Sequence, residues 1–211
     1  MVDRLALALD HLVVAAPTLE RGVAWAERRL GVPMAGGGAH PGVATHNRLL
    51  RLGDSYLEVI ARNPADTPVR KRWFGLDEAR WEPTADTEPA LITYVLRTND
   101  LDAALRLPGA RGHAVEARRG DLVWRIVGTD DGALLDDGAY PTFIQWPDGD
   151  GPAKIMPESG CTFSALEIAH PEAARIEAAL RPALGDARIA FHAGPLSLRA
   201  KILTPAGERT L

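Results

Sequence analysis

Two polar side chains stand where apolar strands should run unbroken. His11 lies inside Leu9-Asp10-His11-Leu12-Val13-Val14-Ala15-Ala16, and Glu58 lies inside Tyr56-Leu57-Glu58-Val59-Ile60. Side chains alternate along a strand, so Leu9, His11 and Val13 are expected on one face, and Tyr56, Glu58 and Ile60 on one face of their own strand. Burying an imidazole and a carboxylate in such surroundings is costly unless a partner satisfies them. A divalent cation would satisfy both, because imidazole nitrogen and carboxylate oxygen are its ordinary ligands. The competing readings are a core histidine bonded to a neighbouring strand, and a glutamate paired with an arginine such as Arg48, Arg51 or Arg125.

Other residues extend the candidate chemistry. His40 and His46 flank Gly42, and His46 enters a strand directly. His46 is either a third ligand or catalytic acid–base group, or a turn residue beside Asn47, whereas His40 reads as structural. Glu58 is the second candidate for a catalytic base. Arg125, in Val123-Trp124-Arg125-Ile126, either pairs with Glu58 or binds an anionic substrate, with Trp124 and Asn47 as further substrate contacts. Gln145 either bonds a neighbouring backbone or offers a neutral amide oxygen to the site. Glu167 lies in a strand that either completes a cavity or packs outside it. The run Gly36-Gly37-Gly38 lacks GK[ST] and opens no helix, so it suits a tight bend or an edge rather than a phosphate. No Ser-His-Asp order, nucleophile elbow or CxxC supports nucleophilic catalysis.

The elements that must position these groups form a repeating pattern. After the first strand, Thr18 is an N-cap, Leu19, Val23, Ala26 and Leu30 recur at helical spacing, and Gly31 ends the helix. Strands around 45–52 and 55–61 complete a βαβββ unit over 1–62. A proline-rich connection, 63–90, holds a short helix around 73–81. A second βαβββ unit, 91–150, has a helix at 100–107 and strands around 113–117, 122–127 and 141–146. Aligning the two helix starts, Leu19 and Leu101, brings His11 onto Thr93 and sets Gln145 against Glu58. A partial third unit, βαββ, spans 161–211, with a helix opened by Pro171.

Composition narrows the classes. The chain has 211 residues, 46% hydrophobic and 25% charged, with net charge −4, so it carries no basic footprint for nucleic acid. No apolar run approaches a membrane span, and the N-terminal stretch does not look like a signal peptide. The single cysteine, Cys161, cannot form an internal disulfide, which agrees with a cytoplasmic location. A homodimer is left open.

Taken together, the segments around His11, His40–Asn47, Tyr56–Ile60, Trp73–Asp77, Phe143–Trp146 and Leu166–Pro171 resemble the vicinal oxygen chelate superfamily, in particular its glyoxalase-like branch. The resemblance implies an α+β fold in which paired βαβββ modules form a cupped mixed sheet with helices outside, and one compact domain overall. It further implies a divalent metal (Zn, Fe, Mn or Ni) held by His11, Glu58 and Gln145, and a small oxygen-bearing substrate handled by a lyase, isomerase or dioxygenase. Because Gln145 cannot ionise, metal binding would be weak and exchangeable. The alternative the superfamily offers is a metal-free protein that sequesters small molecules.

Overall fold

The computed structural model describes residues 4–149 and 151–211. The first three residues and Asp150, which the expected units 1–62 and 91–150 include, lie outside the described residues. The fold is α+β, with twelve strands in two sheets and three short α-helices among the described residues.

The first unit contains β1 (Leu7–Ala15), α1 (Leu19–Leu30), β2 (Ala35–His40), β3 (Thr45–Leu52) and β4 (Ser55–Arg62). Thr18 caps α1 through its side chain, and Gly31 closes it in the left-handed region. The second unit contains β5 (Ala90–Thr98), α2 (Leu101–Ala104), β6 (His113–Arg119), β7 (Leu122–Gly128) and β8 (Thr142–Gln145). Both units close alike: β1 runs parallel to β4, and β5 parallel to β8. Antiparallel pairing of β1 with β5 joins them into one curled sheet, ordered β2-β3-β4-β1-β5-β8-β7-β6. The helix expected around 73–81 reduces to a single 3-10 turn, Ala79–Trp81, because the segment is pinned by long-range hydrogen bonds instead. Arg62 bonds the carbonyls of Leu76 and Glu78, and Gly75 bonds that of Gly132.

The third unit departs from expectation. It has β9 (Thr162–His170), α3 (Ala173–Leu180), β10 (Ile189–Ala193), β11 (Ser197–Thr204) and β12 (Gly207–Thr210), one strand more than the expected βαββ. Its order is β10-β9-β11-β12, so its first strand lies between a parallel and an antiparallel neighbour rather than at the unit's border. This second sheet does not extend the cup. Phe163, Leu166, Ile168, Ile176 and Ile202 join Leu9, Leu12, Leu57 and Trp25 in the large core on the convex side of the first sheet. Glu167 accordingly lies outside the cup, paired with Lys201 at 2.9 Å.

A second, smaller apolar cluster lines the concave side: Val13, Ala15, Ile60, Val95, Ile126 and Ile144, roofed by Trp73, Phe74, Leu76 and Trp81 from the connection. The two clusters settle which residues of β1 face where. Leu9 packs in the convex core with Leu12 and Val14, not beside His11 and Val13 as strict alternation predicts. The cause is a bulge. Leu9 pairs with Leu96 and His11 with Val95, so Asp10 is one residue too many on β1 and reverses the parity at that point. The Arg97 guanidinium donates to the Leu9 carbonyl beside the bulge.

The glycines of β2 let an edge strand press against β3. A Cβ at Gly37 would lie 2.2 Å from the Asn47 carbonyl oxygen, and its φ is +102°. Gly36 has φ +70° with nothing near its missing Cβ. Gly37→Ala should therefore cost about 3 kcal/mol and Gly36→Ala about 1 kcal/mol, since only the first adds a backbone clash to the left-handed strain. Urea unfolding of both variants checks this, and equal losses would show that β2 does not sit this close to β3.

Candidate functional site

The concave side holds a cleft, partly open to solvent, whose two halves differ in chemistry. The first unit contributes His11, His40, Asn47, Tyr56, Glu58 and Ile60; the second contributes Trp124, Ile126, Ile144, Trp146 and Arg119; and Trp73 and Phe74 come from the connection.

The polar half is one continuous network. The bulge brings Asp10 to the same side as its neighbour, and its Oδ1 lies 2.7 Å from His11 Nδ1. The other oxygen of Asp10 accepts from Trp146 Nε1 at 2.8 Å. His11 Nε2 faces Glu58 Oε2 at 3.5 Å, and the Tyr56 ring stacks on the imidazole with centroids 4.5 Å apart. Glu58 Oε1 accepts from Asn47 Nδ2 at 2.5 Å. The Asn47 amide cannot be reversed, because its Oδ1 accepts from the backbone N–H of Gly38 at 2.9 Å and from Arg119 Nη1 at 3.0 Å. Its Nδ2 therefore also points a donor at His40 Nε2, 3.3 Å away. That leaves the His40 proton on Nδ1, beside Thr45 Oγ1 at 2.9 Å.

These contacts set the protonation states. Burial alone would lower the His11 pKa, but contacts with Asp10 and Glu58 outweigh it and raise it to about 9. Burial would raise the Glu58 carboxyl, but His11, His40 and Asn47 hold it at about 2. His40 has no comparable carboxylate contact, and burial pushes it down to about 4. Near neutral pH the cup thus holds one imidazolium and one neutral imidazole. Burial and the charges of Asp10 and Glu58 push the Tyr56 phenol well above its ordinary range.

The structure gathers His11, Glu58, Asn47 and Trp124 of the residues selected from sequence, and turns three others away. His46 neighbours Asn47 in a regular strand, so only one of them can face the cup; His46 looks out toward Glu20 of α1, and half-burial lowers its pKa. Gln145 is likewise flanked by the cup-facing Ile144 and Trp146. Its amide sits at the start of α2 instead, accepting from Arg125 Nη1 at 3.2 Å and donating to the Asn99 carbonyl at 3.0 Å. Arg125 shares that outer face and pairs with Asp102 at 2.9 Å. Thr93, aligned with His11 in the repeat, spends its hydroxyl on the Gly138 carbonyl at 3.0 Å. No arginine among the described residues pairs with Glu58. Arg51 pairs with Glu158 at 3.0 Å, and Arg48 bonds the Asn47 carbonyl.

The expected metal set is therefore incomplete. His11 Nε2 and Glu58 Oε2 would be its two donors, but Gln145 faces away, and no group of three His, Cys, Asp or Glu side chains among the described residues is arranged to hold an ion. A zinc-type site takes at least three protein ligands. The residues present do not fit that metal centre. Asp10, His40 and Arg119 are the site residues that sequence reasoning passed over. Asp10 needed the bulge, and Arg119 reaches Asn47 across 72 residues of chain, from the opposite edge of the sheet.

A family model described as a glyoxalase-like domain matches residues 9–184. No curated protein matches the chain. Among solved structures, a hypothetical protein from Staphylococcus aureus is similar with TM-score 0.59 at 14% identity, over 90% of this chain and 88% of that one. At that identity the likeness concerns the fold alone. A Streptomyces coelicolor methylmalonyl-CoA epimerase in complex with 2-nitronate-propionyl-CoA aligns with TM-score 0.45 at 18% identity, covering 68% of this chain and 99% of that one. The Mycobacterium tuberculosis methylmalonyl-CoA epimerase aligns with TM-score 0.39 at 19% identity, covering 65% and 86%.

The network has a pH signature. Glu58, with its folded pKa depressed to about 2, contributes stability that is complete above its ordinary 4.5 and lost as pH falls toward 2. His11, raised to about 9, contributes stability that is complete below its ordinary 6.5 and lost as pH rises through 9. The shared contribution is thus greatest between 4.5 and 6.5. Glu58→Gln should cost about 3 kcal/mol in that window. It should also make the decline above 6.5 shallower than in the wild type, because His11 loses one of its two carboxylates. Urea unfolding across pH tests this, and identical pH slopes for the two proteins would remove the buried pair from the account.

Proposed function

Because the chain belongs to the glyoxalase-like domain family of the vicinal oxygen chelate superfamily, we propose that its cup binds a small oxygen-bearing molecule and moves a proton on it, as an isomerase or lyase would. The observation that carries this reading is the pair of imidazoles facing one cavity with opposite proton assignments. His40 presents an unprotonated Nε2, fixed by Asn47, and His11 is an imidazolium held between Asp10 and Glu58. Two titratable groups of one kind, pushed apart by their surroundings, are the usual arrangement of a base and an acid.

In this scheme the substrate displaces the Asn47 N–H from the one lone pair of His40 Nε2. That nitrogen then accepts a proton from a carbon next to a carbonyl, and the imidazolium it becomes is stabilised by the Glu58 charge. The oxygen that gathers negative charge shares the His11 Nε2–H with Glu58, whose contact at 3.5 Å is long, while Nδ1–H stays on Asp10. The aromatic and branched side chains of the other half keep water from the reacting atoms. No step is assigned to a metal, since the donor set does not fit one. His46 and Gln145 have no part in the scheme, because both point out of the cup.

The second reading is binding without turnover, and the tryptophans of the cup wall favour it. Proton NMR in D2O separates the two. A panel of small 2-oxo acids, 2-hydroxy acids and aldehydes should contain a member whose C–H next to the carbonyl exchanges faster with protein than without. His40→Gln should slow that exchange at least ~100-fold while near-UV circular dichroism stays unchanged, and chelator should not affect it. A panel member that raises the melting temperature, with no exchange from any compound, would leave the binding reading in its place.

A further inference from the structure

We propose that Arg119 is the anchor for a carboxylate, so that the cup takes a small carboxylic acid with an apolar or aromatic body. This rests on the cup being the ligand site, as above, and adds the class of ligand.

Among the described residues that line the cup, Arg119 is the sole Lys or Arg side chain. It ends β6, at the far edge of the eight-stranded sheet, and the curl of that sheet brings it opposite β2. Room for its stem comes from Gly38, where a Cβ would lie 3.2 Å from Arg119 Cδ. A guanidinium has five N–H donors, and within the protein this one spends Nη1 on Asn47 Oδ1 at 3.0 Å. No carboxylate among the described residues pairs with it. Four other arginines, Arg51, Arg62, Arg72 and Arg125, differ in this respect, since each holds an acidic partner.

The neighbouring acid does not fill the vacancy. Glu58 directs one oxygen to Asn47 and the other to His11, so the Asn47 amide stands between its charge and that of Arg119. A neutral ligand entering here would take water from a half-buried cation and return no charge. A carboxylate returns the charge and matches the planar fork with two parallel N–H···O bonds. Around this anchor the wall is Trp73, Trp124, Trp146, Ile126 and Ile144, which suits an aromatic ring or branched chain on the same molecule.

The test uses the full chain, with benzoate, phenylacetate, indole-3-acetate and 3-methylbutanoate, each beside its uncharged primary amide. Three of the five tryptophans line the cup, so their fluorescence reports binding directly. At least one acid should bind at least ~10-fold tighter than its amide, which is about 1.4 kcal/mol. Arg119→Met should abolish that preference, and Arg119→Lys, which keeps the charge without the fork, should keep only part of it. Should Arg119→Met fail to fold, the lysine variant alone decides, through its loss of preference. Equal binding of acid and amide by the wild type would overturn the anchor while leaving the cup a ligand site. Binding of no acid in the series would overturn it too, and proton exchange in D2O would then stand or fall separately.

Discussion

A buried imidazolium between two buried carboxylates is the constraint around which this cup is organised. Removing three ionisable groups from water costs several kcal/mol for each, and their mutual attraction offsets that only if every remaining lone pair and proton is also satisfied. The surrounding structure reads as the consequence. Trp146 must donate to Asp10, so β8 must end where its indole reaches across to β1. Residue 151 must be glycine, because a Cβ there would lie 2.9 Å from Asp10 Oδ2 and 2.7 Å from Trp146 Nε1. Asn47 must fill Glu58, and to do so its own oxygen must be held from the other side, which requires the glycines of β2 to come close. The bulge at Asp10 is the feature that makes the rest feasible, since an unbroken strand would aim Asp10 and His11 in opposite directions.

The two halves of the sheet have the same topology and divided roles. Among the described residues, every ionisable group of the cup except Arg119 comes from the first unit, whereas the cup-facing positions of β5, β7, β8 and the residue after β8 are Val95, Trp124, Ile126, Ile144 and Trp146. A polar floor beside a wall of tryptophans orients a molecule with one oxygenated end and one apolar end. The convex side is equally divided from the cup. There the third unit and α1 bury Leu9, Leu12 and Leu57, so the backs of β1 and β4 are locked while their fronts carry the chemistry.

Much of this was legible in the residues, for physical reasons that also explain the failures. A glutamate between Leu57 and Val59 has only one economical explanation, a satisfied buried site, and alternation placed it on the face with Tyr56 and Ile60. The βαβββ repeat followed from capping signals at Thr18 and Gly31 and from strand lengths. Face assignment failed wherever parity was decided elsewhere. One extra residue at Asp10 moved Leu9 to the other side, and a one-residue shift in matching the second unit chose Gln145 where Ile144 and Trp146 face the cup. Direct entry into a strand favours His46 over His40 in the sequence, but Asn47 already occupies the cup face of that strand. Arg119 gave no local signal at all: Arg118-Arg119 looks like a solvated strand end until the sheet curls. The third unit reads as a truncated copy of the others because its first strand and helix are visible in sequence, while its last strand and its strand order are not.

Competition between a proton and a metal for one lone pair gives the last step. A carboxylate on Nδ1 is how a metal-binding histidine is normally oriented, and Asp10 is placed for it. The same carboxylate makes Nε2 more basic, so it favours a proton there as well as an ion. Which of them wins depends on the other donors. A divalent ion gains from each further ligand that replaces one of its waters, and the second unit turns Gln145 and Thr93 elsewhere. A proton needs only one acceptor, and Glu58 supplies it at 3.5 Å. The second unit lines the cup with tryptophan and isoleucine where a symmetric site would offer further donors, and the group that faces Glu58 here is the His11 imidazole.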